Sequence, residues 1–358
     1  MNFDYNEEQQ LLSDSVRRFL SKDYDFEARR RIVASDEGWS RTAWATLANM
    51  GVTGLPISTD YGGFGGGAVD LMGVMEAFGE SLVVEPYLPT VMAGMLLAGS
   101  RMSSTVLPGV VEGKTRLAFA HAEKGARYDP AAVKTQARKS ADAWLLEGEK
   151  AAVLGGPMAD QLVVSARTAD GIGLFLAQNP SRKGYRRIDG MRAADIELRA
   201  HKAERLDGAV ERIEEVIDFA TALICAEAVG AMKSACDSTL EYLKTRKQFG
   251  VPIGTFQALQ HRMVDMFIVH EQARSMACLA CSKVDSHKNA EDRVRAVSAA
   301  KIKIADSARH ISQESVQLHG GMGMSEELKI SHSFRRLTVI AGEFGDADHH
   351  LERFASLS

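Results

Sequence analysis

RKQFGVPIGTFQALQHRMVDM (246–266) and QLHGGMGMSEE (317–327) are the two stretches whose reading decides the fold. Each lies where a helical period breaks. Ahead of the first, VIDFATALICAEAVGAMKSACDSTLEYLKTR (216–246) repeats apolar residues at three- and four-residue spacing and reads as one long helix. FQALQHRMVDMFIVHEQARSMACLACSKV (256–284) reads as a second and VRAVSAAKIKIADSARHISQESVQLHG (294–320) as a third. Long helices joined by short links predict an antiparallel bundle.

Outward from the bundle, the period changes between Arg116 and Ile213. RLAFAHAE, AWLLEGEKAAVL, DQLVVSART and GIGLFLAQN are short β-prone runs separated by Gly, Pro, Asp and Asn. Runs at that spacing predict a compact β-barrel or sandwich. Further upstream, residues 6–23 place Leu11, Leu12, Val16, Phe19 and Leu20 on one helical face. Helical pattern returns at Ala43–Met50 and Ala68–Ser81, separated by the turn-rich PISTDYGGFGGG. No GK[ST] follows that glycine cluster and no GxGxxG opens a helix after a strand, so it reads as a flexible connection rather than a phosphate loop. The predicted architecture is α+β: an N-terminal helical domain (1–112), a middle β-barrel domain (113–213) and a C-terminal four-helix bundle (214–358).

Composition excludes several classes. With 45% hydrophobic and 25% charged residues the chain is globular. A formal net charge of −4 argues against a nucleic-acid partner, which usually requires a basic excess. The acidic start MNFDYNEEQQ is no secretory signal, and the greasy stretch Leu88–Gly99 falls far short of the ~20 residues that span a bilayer. A soluble, cytoplasmic protein without a membrane span is expected. Cys278 and Cys281 form a CxxC in a helical apolar pattern with no second pair to complete a zinc site, so no metal is expected and the four cysteines read as buried and reduced.

The order of domains, the opening helix EEQQLLSDSVRRFL, the loop GLPISTDYGGFGGG and above all the two quoted stretches resemble the acyl-CoA dehydrogenase family over nearly the whole chain. The ending FGDADHH (344–350) is similar to the small subunits of heteromeric dehydrogenases acting on steroid side chains or dicarboxylic acyl-CoAs. The resemblance implies FAD held across a subunit interface, with each subunit reaching into its neighbour's flavin. On this chain Arg246 would meet the pyrophosphate, Phe249, Ile253 and Phe256 would give apolar cover, and Gln257 a polar contact. Gln317 and the backbone of Gly320 and Gly321 would cradle the adenosine end.

The residues that the resemblance assigns to the subunit's own flavin depart from the pattern. The family's Thr-Glu-Pro-x-Ala-Gly-Ser-Asp turn appears as AEKGARYD (122–129), with Ala122 for the threonine and Tyr128 for the serine. Its Trp-Ile-Thr appears as Ala152, Val153 and Leu154. Counted from Gly320, the catalytic glutamate's position holds Phe344, with Glu343 one place earlier and Asp346 where a threonine would stand. The alternative position for that base, early in the first bundle helix, holds Ala220. His349 and His350, adjacent and without further ligands at helical spacing, read as surface residues.

Three readings stay open. One is a non-catalytic subunit of a heteromeric dehydrogenase, clamping the FAD of a homologous partner that carries the glutamate and the acyl-CoA site. Another is an autonomous homo-oligomeric dehydrogenase using Glu343 as its base. The third is a scaffold with no flavin contact.

Overall fold

The computed structural model describes residues 5–140, 143–207, 210–286 and 289–357. Six helices come first: α1 (Glu7–Asp23), α2 (Phe26–Ala34), α3 (Arg41–Asn49), α4 (Ala68–Ser81), α5 (Tyr87–Leu97) and α6 (Ser103–Val111). Seven strands follow: β1 (Leu117–Ala120), β2 (Gln136–Ser140), β3 (Ala143–Leu154), β4 (Gln161–Thr168), β5 (Gly171–Gln178), β6 (Ser181–Arg186) and β7 (Arg192–Leu206). The chain then forms α7 (Val210–Thr245), the hairpin β8 (Lys247–Gln248) and β9 (Val251–Pro252), α8 (Gln257–Val284), α9 (Ala290–His319), α10 (Lys329–Gly342) and α11 (Ala347–Ala355). These elements pack as two units.

The first unit gathers the chain up to Glu27, Ala68–Val83 and the chain from Thr221 onward. α1 opens on a capping box in which the Gln9 N–H donates to Asn6 and the Gln9 side chain accepts from the Asn6 N–H. α4 and α7 approach backbone to backbone because glycines face the crossing: a Cβ on Gly79 would lie 1.8 Å from Glu227 O, and one on Gly230 1.9 Å from Glu76 O. Asp285, just past α8, caps α4 from a distance of over 200 residues in sequence by accepting from the Ala68 and Val69 N–H groups at 2.7 and 2.9 Å. The long helices expected from periodicity are α7, α8 and α9.

The second unit comprises Ala28–Gly67 and Val84–Ala220. Its sheet runs β1-β4-β2-β3-β7-β5, and an antiparallel β4–β5 pairing closes the path into a barrel. Leu146, Leu162, Val164, Phe175, Ile196 and Leu198 fill its interior. β1, β3, β4 and β5 coincide with the four expected β-prone runs, and β2, β6 and β7 are additional strands. β7 reads RAADIELRAHKAERL, rich in good helix formers, and is a strand because β3, β5 and β6 all pair with it. The glycine-rich loop expected to be a flexible connection is instead cross-tied: Gly63, Phe64 and Gly65 N–H groups donate to Ser58, Gly54 and Ile57 carbonyls.

The stretch from Leu88 is α5, buried along most of its length. Among the described residues no helix is long and apolar enough to cross a membrane. All four thiols are unpaired; Cys225, Cys236 and Cys281 are buried and Cys278 half-buried.

Candidate functional site

Arg246 is the first residue past α7, where the chain reverses through the β8–β9 hairpin. Phe249 and Gly250 form its two-residue loop with φ of +54° and +82°, the left-handed pair of a type I′ turn. Glycine adopts that backbone freely, but a phenylalanine there is strained. Its ring is 91% exposed. The Ile253 N–H returns to Arg246 O at 2.8 Å, which sets Ile253 beside the arginine.

α9 ends on Gly320 (φ +61°), and residues Gly320–Met324 make a tight 3₁₀ turn. An open groove of about 590 Å³ joins these two breaks, lined by Arg246, Ile253, Gln317, Gly320 and Gly321. Those five expected residues therefore converge. Phe249, Phe256 and Gln257 do not line the groove; Phe249 and Phe256 meet edge to face beside it at 6.2 Å.

Groove chemistry suits a phosphorylated, aromatic ligand. The Arg246 guanidinium makes no ion pair among the described residues, whereas Arg262, also in the lining, is held by Glu314 at 2.6 Å. Cβ atoms built on Gly320 or Gly321 would meet nothing within 4 Å, so the backbone faces open space. Tyr242 and His319 stack at 4.4 Å in the wall. Burial lowers the His319 pKa, although Nδ1, 2.8 Å from Ser315 O, works against that shift. Sequence reasoning assigned no role to Tyr242, Arg262 or His319; all three lie within or beside the quoted motifs, and only the fold shows which face they take.

The turn after α10 holds the residues expected to bear on proton chemistry. Glu343 caps the helix end, Phe344 follows with φ +57°, and Asp346 caps α11 by accepting from the His349 N–H at 2.9 Å. Buried Arg336 holds Glu227 with two bonds, Nε to Oε1 at 2.6 Å and Nη2 to Oε2 at 2.7 Å. Its Nη1 lies 3.3 Å from Glu343 Oε2. Lys301, fully buried, donates to Ala341 O at 3.0 Å and Gly345 O at 2.6 Å, and its burial lowers its pKa to about 8. His350 bonds Phe344 O at 3.1 Å. Contrary to the expectation of a surface residue, His350 is 2% exposed, because α11 folds back on α9 and sets the ring against Ser298. Its burial lowers the imidazole pKa to about 3.

In the barrel, Ala122 and Ala152 are exposed methyls, Val153 is core and Leu154 is half-buried. Ala152 sits at a bulge with φ +53°, its N–H donating to Asp195 at 3.0 Å. A cavity of about 420 Å³ opens nearby on Glu123 and Lys150, and neither Ala122, Tyr128, Ala152 nor Leu154 lines it. Lys150 and Glu123 pair at 2.7 Å, and Glu123 also accepts from Thr135 and the Lys134 N–H. Despite the cost of burial, those bonds hold the Glu123 pKa down at about 2; burial pushes Lys150 to about 8. The satisfied network reads as a fastening between strands. On α7, Ala220 is fully buried. Among the described residues no group of His, Cys, Asp and Glu is placed to hold a metal ion.

Comparison with known proteins agrees with the architecture. Family models match in sequence: acyl-CoA dehydrogenase, N-terminal domain over residues 6–114, middle domain over 118–200 and C-terminal domain over 210–356. The chain is 29% identical to the caffeyl-CoA reductase-Etf complex subunit CarC of Acetobacterium woodii, covering 94% of each protein. It is 30% identical to 3-(aryl)acrylate reductase of Clostridium sporogenes over 82% of this chain and 84% of that one. Among solved structures, the Tcur3481-Tcur3483 steroid ACAD superposes with a TM-score of 0.90 at 30% identity, covering 98% of this chain and 97% of that one. The chain belongs to the acyl-CoA dehydrogenase family of FAD-dependent oxidoreductases.

Proposed function

We propose that this chain is the clamp subunit of a heteromeric acyl-CoA dehydrogenase. It holds the adenosine-diphosphate end of an FAD whose ring pocket, catalytic glutamate and acyl-CoA site belong to a homologous partner. The observation that carries this reading is a contrast between two side chains. The Arg246 guanidinium faces the groove with no counter-ion among the described residues, whereas Glu343, the carboxylate nearest the expected base position, is engaged by Arg336 at 3.3 Å. A general base needs its carboxylate within hydrogen-bond reach of the proton it abstracts, and Glu343 Oε2 is turned to Arg336 instead.

FAD, when bound, supplies the hydride acceptor for α,β-dehydrogenation. Arg246 would hold its pyrophosphate, and Gln317 with the backbone of Gly320 and Gly321 its adenosine end. Phe249, Ile253 and Phe256 would cover it and Gln257 add a polar contact. The positions matched to the subunit's own flavin pocket carry only methyls at Ala122 and Ala152, so hydrogen bonds of about 1 kcal/mol each and an aromatic backing of about 0.5–1.5 kcal/mol are missing there. The paired designation of the steroid ACAD, and the complex named for the Acetobacterium relative, support an unlike partner; the former also supports a bulky acyl group.

The test is flavin absorbance per chain, with the protein purified alone and after co-expression with a homologous chain carrying the glutamate. Expected are little flavin alone and about one FAD per unlike pair. One tightly bound flavin per chain in a homo-oligomer that turns over would sink the reading.

A further inference from the structure

Methionine is mostly a core residue. Among the described residues Met322 and Met324 are the two exposed methionines, at 51% and 64%; the others are buried or half-buried. Both sit on the 3₁₀ turn Gly320–Met324 that follows α9. Met322 lines the groove beside Gln317, Gly320 and Gly321, whereas Met324 does not. The turn fixes Met322: its carbonyl accepts from the Ser325 N–H at 3.1 Å, and a Cβ on buried Gly323 would lie 2.6 Å from Val316 O. Thiols, the usual competitors for an oxidant, are withdrawn. Cys225, Cys236 and Cys281 are buried and Cys278 half-buried. Burial pushes the Cys225 and Cys236 thiols up to about 12 and raises those of Cys278 and Cys281 as well. A thiol attacks as its thiolate, so these four react slowly. A thioether has no proton to lose, and access alone decides its oxidation.

We propose that Met322 is a reversible oxidation site that gates nucleotide binding in the groove, with hydrogen peroxide as the oxidant. The Met322 sulfur attacks one peroxide oxygen and the O–O bond breaks. The departing hydroxide takes the proton left on the transferred oxygen and becomes water. Sulfur gives up two electrons and peroxide gains them. The sulfoxide is polar, and its oxygen only accepts hydrogen bonds. The groove suits phosphate through Arg246, whose guanidinium has no ion pair among the described residues. An acceptor added to that wall repels phosphate oxygens and competes with them for the guanidinium. Bound nucleotide in turn covers the sulfur, so loading and oxidation exclude each other. Met324, just as open but outside the lining, oxidises without this effect. That the nucleotide is the adenosine-diphosphate end of FAD rests on the subunit reading above; the oxidation site rests on exposure and on a place in the groove wall.

The experiment treats wild type, Met322→Leu and Met324→Leu with hydrogen peroxide, quenches with catalase and maps sulfoxide by peptide mass spectrometry. Each protein, treated and untreated, is then combined with the homologous glutamate-bearing chain, and FAD affinity is read by flavin absorbance. Met322 and Met324 are expected to oxidise about tenfold faster than the buried methionines. Prior loading with FAD and partner is expected to slow Met322. Treatment is expected to weaken FAD binding about tenfold in wild type and Met324→Leu, each against its own untreated form, and to leave Met322→Leu where it started. Methionine sulfoxide reductases are expected to restore the wild type. Oxidation of Met322 no faster than that of buried methionines overturns the proposal. So does unchanged FAD affinity with Met322 oxidised, or protection by Met324→Leu in place of Met322→Leu. An untreated complex that takes up no flavin overturns the subunit reading, and this proposal with it.

Discussion

Arg336 Nη1 lies 3.3 Å from Glu343 Oε2, while Nε and Nη2 of the same guanidinium grip Glu227 at 2.6 and 2.7 Å. The side chains of Arg336, Glu227 and Glu343 are only 3%, 6% and 9% exposed. Glu343 is thus a counter-ion in a buried ionic cluster, on a turn that Lys301 and His350 fasten from below.

If the partner supplies the base, Glu343→Gln leaves the turnover number of the complex within a few-fold of wild type. The substitution keeps size and hydrogen bonding. Loss of a general base typically costs about 10²–10⁴ in rate, so steady-state kinetics separates the outcomes. A collapse of that size, with flavin still bound, would restore Glu343 as the base.

Arg336→Leu removes the guanidinium shared by two buried carboxylates, Glu227 and Glu343, and is expected to cost about 3–5 kcal/mol in urea unfolding. Removing the whole cluster with Glu227→Leu, Arg336→Met and Glu343→Leu is expected to recover most of that loss, because buried ions gain little once their desolvation is counted. A triple variant as unstable as the single one would show that packing, not unpaired charge, dominates.

Arg246→Ala is expected to weaken FAD binding to the complex by about 1.5–3 kcal/mol, the worth of a charged contact to phosphate. Lower flavin occupancy after gel filtration, partly restored by added FAD, is the signature. Unchanged affinity would leave the groove without a nucleotide.

Acid should destabilise the protein through His350. The unfolded imidazole titrates near 6.5, but burial drops the folded value to about 3. The stability this neutral ring contributes is fully present above pH 6.5 and is lost as pH falls through 3. Between pH 7 and pH 5 the wild type should lose about 2 kcal/mol more than His350→Gln does. Equal losses in both proteins would place the acid sensitivity elsewhere.

Much of the bundle was legible because each long helix carries an apolar helical pattern along its own length: Val216, Phe219, Leu223 and Val229 on α7 are all buried. The groove was legible for a related reason. Arg246 and Gln317 lie at the ends of such helices, where punctuation in the sequence is strongest. Strand β7 was not legible, since Ala, Glu, Arg and Lys favour a helix until β3, β5 and β6 supply ladder partners.

By itself, then, the sequence determined the order of helices, barrel and bundle, the two motif breaks that become the groove, and the lack of a carboxylate at the expected base positions. These are local properties: periodicity, punctuation and residue identity are written along the chain. Only the tertiary structure decided that Arg336 reaches Glu227, 109 positions away, and takes Glu343 as well, and that Lys301 and His350 close on the 341–345 turn. The partners of a buried charge depend on which helix faces meet. That is set by packing between distant segments, where an unpaired ion costs several kcal/mol and the fold must bring it a counter-charge.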